Sequence, residues 1–273
     1  MSGPWRGAGI GYRHAHRAAL LARTPSTGGP AVLEVMPDHF FASPGALAPL
    51  AERYPIVFHD VGLSFATAGD TSVARDRLRR IAELAAIARP LLVSDHLALT
   101  RSPAGIDLGH LAPVWRTEAA LALIADRLRA VADLLQLPVA IENITAPFDI
   151  PGGMPEAEFL ARLVERAGCG LLLDLANLEI NGRNHGFDAR ARVHDYPLEA
   201  VVQVHLAGGF RDRAAVWIDS HSTPVADTTF ELLRELGRAR ASLVTIIVER
   251  DDNLGDLGDL VAEATAAAAR WTA

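Results

Sequence analysis

The sequence predicts a single-domain α/β protein, a (β/α)8 TIM-like barrel spanning residues 1–273, and three observations carry that prediction. The length of 273 residues matches the ~250 that one such barrel needs. A hydrophobic content of 50% is enough to bury a large core. Short apolar runs bounded by turn residues alternate with longer Ala/Leu/Arg stretches of helical period, the signature of βα units around a buried parallel sheet.

Taken in order, the apolar runs fall at residues 7–12, 31–35, 56–58, 91–94, 139–141, 170–173, 201–204 and 243–248. Helices are plainest at 73–87, 118–135, 156–167, 228–238 and 257–271, where apolar residues recur at helical spacing; the last would close the outer ring. Thr117 precedes one helix as a candidate cap and Pro155 heads the next, each a residue type suited to a helix start. Pro90 and Pro138 stand just before strands, where they end the preceding helix. An open doubly wound sheet has the same element order, but no Gly-x-Gly-x-x-Gly fingerprint follows the first run, so the closed barrel is favoured. Neither a solenoid-period repeat nor a low-complexity linker marks a domain boundary.

Composition removes several function classes. The formal net charge of -7, with Lys+Arg 26 against Asp+Glu 33, leaves no electrostatic footprint for nucleic acid. Cys169 is the single cysteine, which excludes a disulfide within the chain and a Cys-rich zinc or iron-sulfur site, and fits a reducing compartment. Residues 1–12 lack the apolar segment of a secretory signal. No stretch reaches the ~18 uninterrupted apolar residues of a membrane span. The expectation is a cytoplasmic protein without a membrane partner.

The chemistry gathers at the ends of the runs. Glu34, His59, His96, Glu142, Asp174, His205 and Glu249 stand on or just after successive runs, and in a barrel those carboxyl ends form one rim where active sites lie. Glu142 and Asp174 are 32 residues apart and Asp174 and His205 are 31 apart, close to the ~30 of one βα unit. The gap of 46 between His96 and Glu142 leaves room for an extended rim loop. Past the seventh run, Asp219 and His221 alternate so that their side chains share a face if extended. Asn177 follows Asp174 by one helical turn.

A lone histidine at a strand end is more often a hydrogen-bonded structural group than a ligand; the conjunction points to metal. Two carboxylates ~5 Å apart at an effective dielectric of ~20 repel by ~3 kcal/mol, so Glu142, Asp174, Asp219 and Glu249 around one mouth call for cations. Interleaved imidazoles and carboxylates without sulfur suit non-haem iron, and equally manganese, zinc or cobalt. Eight donors plus Asn177 suggest two or three ions, since a catalytic ion takes about three protein ligands, with Glu142 or Asp174 as a bridge.

The remaining polar residues have blander readings. His14, His16, His39, His110, His185 and His194 are expected at the surface or behind the ligands. Glu34 is expected as a supporting base or a partner of Arg13 rather than a ligand. Asp38, Asp60, Asp95 and Asp251 read as solvated or loop-structuring groups, Cys169 as a small core residue at the far end of the barrel, and segments 101–107 and 150–155 as rim loops.

The motifs, in order, are Gly9-Ile10-Gly11-Tyr12-Arg13, His59-Asp60-Val61-Gly62-Leu63-Ser64, Ser94-Asp95-His96-Leu97, Ile141-Glu142-Asn143, Leu173-Asp174-Leu175-Ala176-Asn177, Asn184-His185-Gly186-Phe187-Asp188, Val204-His205-Leu206-Ala207-Gly208, Asp219-Ser220-His221 and Val248-Glu249-Arg250-Asp251. In this order they resemble the multinuclear non-haem iron-dependent oxidative enzymes, formerly the DUF692 family, of MbnB and TglH type. The resemblance implies two or three irons in a mixed-valent Fe2+/Fe3+ centre held by His59, His96, Glu142, Asp174, His205, Asp219, His221 and Glu249, with Asn177 a further candidate. Glu142, Asp174 and His205 are the residues expected to take part in catalysis. The resemblance also implies dioxygen as co-substrate, a precursor peptide modified usually at cysteine, and a partner protein that binds the leader. Pro37-Asp38-His39 stands where the family tends to have Pro-Glu-Asn, and Asp60 replaces a usual glycine. The alternatives are a non-oxidative divalent-metal barrel enzyme, of sugar-isomerase or endonuclease IV type, and a metal-retaining module that binds a peptide unchanged.

Overall fold

The computed structural model describes residues 4–69, 72–238 and 243–272; residues 1–3, where the amino-terminal stretch begins, lie outside the described residues. In chain order the strands are β1 (Ala8–Gly11), β2 (Leu33–Val35), β3 (Ile56–His59), β4 (Val93–His96), β5 (Ala98–Arg101), β6 (Asp107–Pro113), β7 (Val139–Glu142), β8 (Gly170–Asp174), β9 (Val201–Leu206), β10 (Gly208–Arg211), β11 (Trp217–Thr223) and β12 (Thr245–Val248). Eight of them close into one parallel barrel, β1-β2-β3-β4-β7-β8-β9-β12 and back to β1. Each is one of the eight apolar runs, with bounds displaced by at most a residue or two, which is the ordinary fraying of element ends.

The helices are α1 (Arg17–Leu21), α2 (Ala48–Ala51), α3 (Ser72–Ala88), α4 (Glu118–Leu135), α5 (Glu156–Ala167), α6 (Leu175–His185), α7 (Ala189–Arg192), α8 (Asp227–Arg238) and α9 (Leu257–Thr272). The expected five are α3, α4, α5, α8 and α9. Thr117 caps α4 by accepting the Ala120 N–H at 3.2 Å, and Pro155 precedes the first turn of α5.

Strand periodicity divides the barrel into two buried faces. Two residues before a donor lies on the same face, and there stand Val32 before Glu34, Val57 before His59, Ala140 before Glu142, Leu172 before Asp174 and Ile247 before Glu249. With Leu92, Val202 and Val244 these form a separate buried cluster inside the barrel. The alternate residues Leu33, Phe58, Ile141, Leu173, Val204 and Val248 belong to the larger cluster between sheet and helices. The interior therefore has an apolar floor with the donors above it.

Three excursions rise from the carboxyl ends. The long gap after His96 folds as the antiparallel β5–β6 hairpin, and the segment after His205 as the β10–β11 hairpin. The third is α6, which starts directly off β8 and is buried from Leu175 to Gly182. It is pinned on one side by Asn181, whose Nδ2 donates to Ile144 O at 2.9 Å and whose Oδ1 accepts from Ala146 N at 3.0 Å. On the other, Asn184 Nδ2 donates to Trp217 O at 2.9 Å.

Barrel closure between β1 and β2 depends on Gly9, where an added Cβ would lie 2.0 Å from the Val32 carbonyl oxygen. Gly9→Ala forces the two backbones apart and is expected to lower Tm by at least ~5 °C. Gly258, in the first turn of α9, has open space around its missing Cβ, so Gly258→Ala should raise Tm by ~1–3 °C. Thermal unfolding followed by circular dichroism checks both; equal effects would contradict this account of closure.

Candidate metal centre

Register places the donors side by side. The β4–β7 pairing sets His96 opposite Glu142, and the β8–β9 pairing sets Asp174 opposite His205. Glu34, His59, Glu142, Asp174, His205 and Glu249 are all buried. His96, Asp219 and His221 form the outer part, with side chains 11%, 22% and 14% exposed. Four overlapping groups have donor atoms within 4.8 Å of one another: Glu34–His59–His205, His59–His96–Glu142, Glu142–Asp174–His205 and Asp174–His221–Glu249. Glu142 and Asp174 each belong to two groups, which is the arrangement a bridging carboxylate requires.

The contacts are close; that between His205 Nδ1 and Glu142 Oε1 has hydrogen-bond geometry, whereas several of the other donor atoms meet without it. Glu142 Oε2 lies 3.5 Å from His59 Nε2 and 3.3 Å from His96 Nε2, and His205 Nδ1 lies 2.9 Å from Glu249 Oε2 and 3.1 Å from Glu142 Oε1. Asp219 Oδ1 is 2.9 Å from His221 Nε2. Yet Glu142 Oε2, Asp174 Oδ2, Asp219 Oδ1 and both ring nitrogens of His221 are buried without a hydrogen-bond partner. Buried polar atoms are ordinarily satisfied, so orphaned carboxylate oxygens and imidazole nitrogens facing one another fit cations placed between them.

Neighbouring groups hold these side chains in place. His59 Nδ1 lies 2.9 Å from Ser94 Oγ, whose hydroxyl donates to Phe58 O at 3.3 Å. The hydroxyl therefore accepts the Nδ1–H and leaves Nε2 bare towards Glu142. Asn143 clamps the Asp174 backbone, accepting from its N–H at 2.8 Å and donating to its carbonyl at 3.0 Å. Asp174 caps α6 by accepting Asn177 N–H on Oδ1 at 2.7 Å, which leaves Oδ2 for the site.

The electrostatics reveal the same conflict. Burial, then the charges of Asp219 and Glu142, push the Asp174 carboxyl well above its usual range. Burial alone would lower the His96 imidazole, but Glu142 and then Asp95 outweigh it and raise it to about 9. His205 and His221 are raised well above the usual range despite burial, Glu249 being the largest opposing charge for each. Burial would raise Glu249, yet His205 and His221 hold it well below the usual range.

The structure gathers all eight strand-end and hairpin donors expected from sequence. Asn177 lies beside them, but its Oδ1 accepts from the Thr145 hydroxyl and its Nδ2 donates to Asn143 O at 3.1 Å. Glu34 does not meet Arg13, which pairs with Asp251; Glu34 Oε2 lies 2.9 Å from His205 Nε2. Asp60 and Asp95 are buried rather than solvated: Asp60 pairs with Arg77 at 2.5 Å, and Asp95 accepts from Leu63 N at 2.7 Å and His96 N at 2.6 Å. Arg77 also reaches Asp38 at 3.3 Å, so two departures from the family pattern share one partner. Asp219 and His221 do face each other, but His221 has φ 48 and is not extended. Of the off-strand histidines, His16 is buried and its Nε2 faces Gly255 O at 3.0 Å. Sequence reasoning gave no role to Ser94, Asn143 or Gln203; Ser94 and Asn143 stand within quoted motifs, whereas Gln203 lies just outside the one around His205.

Fold and site together define a barrel enzyme with a candidate metal centre at its mouth. The family model described as "RiPP precursor modification enzyme MbnB/TglH/ChrH" matches residues 7–272, and the chain belongs to that family of enzymes acting on ribosomally synthesised, post-translationally modified peptides. A UPF0276 protein of Caulobacter vibrioides is 36% identical over 276 residues, covering 99% of this chain and 96% of that one. One of Streptomyces avermitilis is 38% identical over 268 residues, covering 94% of this chain and 53% of its own length. Among solved structures, a D-psicose 3-epimerase has a TM-score of 0.57 at 16% identity, covering 97% of this chain and 96% of its own. Endonuclease IV from Thermus thermophilus scores 0.55 at 16% identity, covering 98% and 99%. These show the barrel fold.

The raised imidazoles have a measurable consequence. His96 moves from its usual 6.5 to about 9, so in metal-free protein its pairing stabilises fully below the usual value and is lost as pH rises through about 9. Near neutral pH a bound ion must displace that proton. Zinc titration in buffers of differing ionisation enthalpy at pH 7.5 should show proton release, and apparent affinity should fall as pH falls. Uptake without proton release would contradict the charge pattern.

Proposed function

We propose that this chain is an iron- and dioxygen-dependent enzyme that oxidatively modifies a side chain, foremost cysteine, of a ribosomally made precursor peptide. The observation that carries this reading is the linked set of donor groups at the mouth of a barrel that belongs to a peptide-modifying family. His59, His96, Glu142, Asp174, His205, Asp219, His221 and Glu249 would hold two or three irons, mixed-valent between Fe2+ and Fe3+, with Asn177 as a further candidate. Iron there would supply a thiolate anchor and a path for electrons from the substrate to dioxygen. Glu142, Asp174 and His205 are assigned to catalysis because they meet at the centre of the cluster.

The chain's own residues support a peptide as substrate. Among the described residues, the large exposed apolar side chains are Ile87, Ile106, Trp115, Leu134, Phe148, Phe210 and Val216. Five of the seven, all except Ile87 and Leu134, lie on connections after the carboxyl ends of the strands, the side on which the donors sit. Exposed apolar groups collected on one face mark an interaction surface. A cavity of about 400 Å³ lined by Arg116, Phe148, Glu156, His185 and Tyr196 opens beside it. The wider reading includes a separate leader-binding protein and a cytoplasmic location. No helix among the described residues is long and apolar enough to cross a membrane.

The test uses protein purified without oxygen and loaded with iron(II), mixed with a cysteine-bearing precursor peptide chosen from the short open reading frames beside its gene, ascorbate and air. Oxygen uptake and a changed peptide mass are expected. Glu142→Ala should lose bound iron and activity together, whereas Cys169→Ser should keep both, because Cys169 is buried in the outer core and burial pushes its thiol up to about 12. Protein that holds only zinc and consumes no oxygen would overturn the reading. Sugar or phosphodiester turnover without oxygen would favour the divalent-metal alternative, and an unaltered peptide that stays bound would favour a binding module.

A further inference from the structure

His205 is the most enclosed imidazole of the centre, with no exposed surface, and both its nitrogens are in contact with carboxylates. Nδ1 faces Glu142 and Glu249. Nε2 points the other way, towards Glu34 Oε2 at 2.9 Å. Gln203, two residues earlier on β9 and therefore on the same face, sends its Nε2 to that same Glu34 oxygen and lies 2.9 Å from His205 Nε2. Glu34 and Gln203 are themselves buried, and neither was part of the expected ligand set.

The geometry points to Glu34 and Gln203 as positioning residues that fix the proton of His205 on Nε2, so that His205 takes its metal ion through Nδ1. The single oxygen Glu34 Oε2 faces both Gln203 Nε2 and His205 Nε2, and a carboxylate oxygen in that position accepts. Two nitrogens that converge on it must therefore each supply a hydrogen, and the imidazole hydrogen is then committed to Glu34. Nδ1, which meets Glu142 Oε1 at 3.1 Å and Glu249 Oε2 at 2.9 Å, lies on the side of the other donors, where an arriving ion would replace its proton. Ser94 does the corresponding work for His59 with the opposite ring nitrogen. The two neighbouring rings, with centroids 5.1 Å apart, are thus presented through different atoms by partners on different strands. A carboxylate on the remote nitrogen also makes the imidazole a stronger donor and stiffens its orientation. The competing arrangement has Gln203 donate into a bare Nε2, which puts the proton on Nδ1 and removes His205 as a ligand. A second competitor makes Glu34 a ligand itself, in the group Glu34–His59–His205.

The inference rests on the metal-centre reading and not on the peptide chemistry, so zinc serves as the probe. In zinc-loaded wild-type protein, long-range proton–nitrogen correlation spectra should show His205 with a protonated Nε2 and a metal-bound Nδ1; a protonated Nδ1 overturns the proposal. Glu34→Gln keeps an acceptor without the charge and should weaken zinc binding ~10-fold while leaving the number of ions per chain unchanged, and Glu34→Ala should weaken it ~100-fold. Wild-type affinity in Glu34→Gln, or loss of a whole ion per chain, overturns it as well. A wild-type chain that takes up neither zinc nor iron sinks the metal reading and this inference together. Uptake of metal with an unaltered peptide sinks only the proposed reaction.

Discussion

Glu142 ends a barrel strand with almost no exposed surface, with three histidine rings within reach of its carboxylate and one of its oxygens without a donor. Placing that charge, and those of Asp174 and Glu249 beside it, in a water-poor interior is costly unless positive charge meets them. Much of the surrounding structure answers that constraint. The strand register brings His96 and His205 alongside, α6 begins where Asp174 can cap it, and the β10–β11 hairpin folds back so that His221 approaches Glu249 at 3.7 Å. Without compensating cations the imidazoles carry the balance by holding protons.

The barrel was legible because its two faces obey simple periods. Val57 and His59, or Leu172 and Asp174, are paired on one side by the strand's alternation, and Phe58 and Leu173 on the other meet the helices. An apolar run ending in a donor therefore announces both a strand and which way its last side chain points. The hairpins were not legible as hairpins. Their strands mix polar and apolar residues and are shifted in register by irregularities between Leu99 and Arg101 and between Gly208 and Phe210, so the sequence shows only a long interval. Alternation sets Asp219 and His221 on one face only if the segment is extended; the left-handed backbone of His221 turns it by a different route towards Asp219 and Glu249.

Supporting groups were the least legible, for a physical reason. Ser94 and Gln203 are ordinary polar residues whose meaning comes from the strand beside them: Ser94 lies opposite His59 in the β3–β4 register, and Gln203 reaches across the barrel interior to Glu34. Asp60 and Asp95 looked like loop acids beside ligands, yet each is buried because an arginine or backbone N–H faces it. Which acid finds a donor is decided in three dimensions. The likeness of the barrel to a sugar epimerase and to a DNA-repair nuclease makes the same point for function, which resides in the grafted side chains rather than in the cylinder.

Asp219 and His221 ride on a two-stranded arm that, among the described residues, forms a sheet of its own outside the barrel, tied back by the Asp251 N–H to the His221 carbonyl at 2.9 Å. Lengthening, shortening or re-turning that arm would re-aim two donors while leaving every inter-strand register of the cylinder untouched. Such an appendage separates the part of the molecule that must stay fixed from the part that can be retuned, so that new chemistry can be fitted to an old frame at little risk to folding.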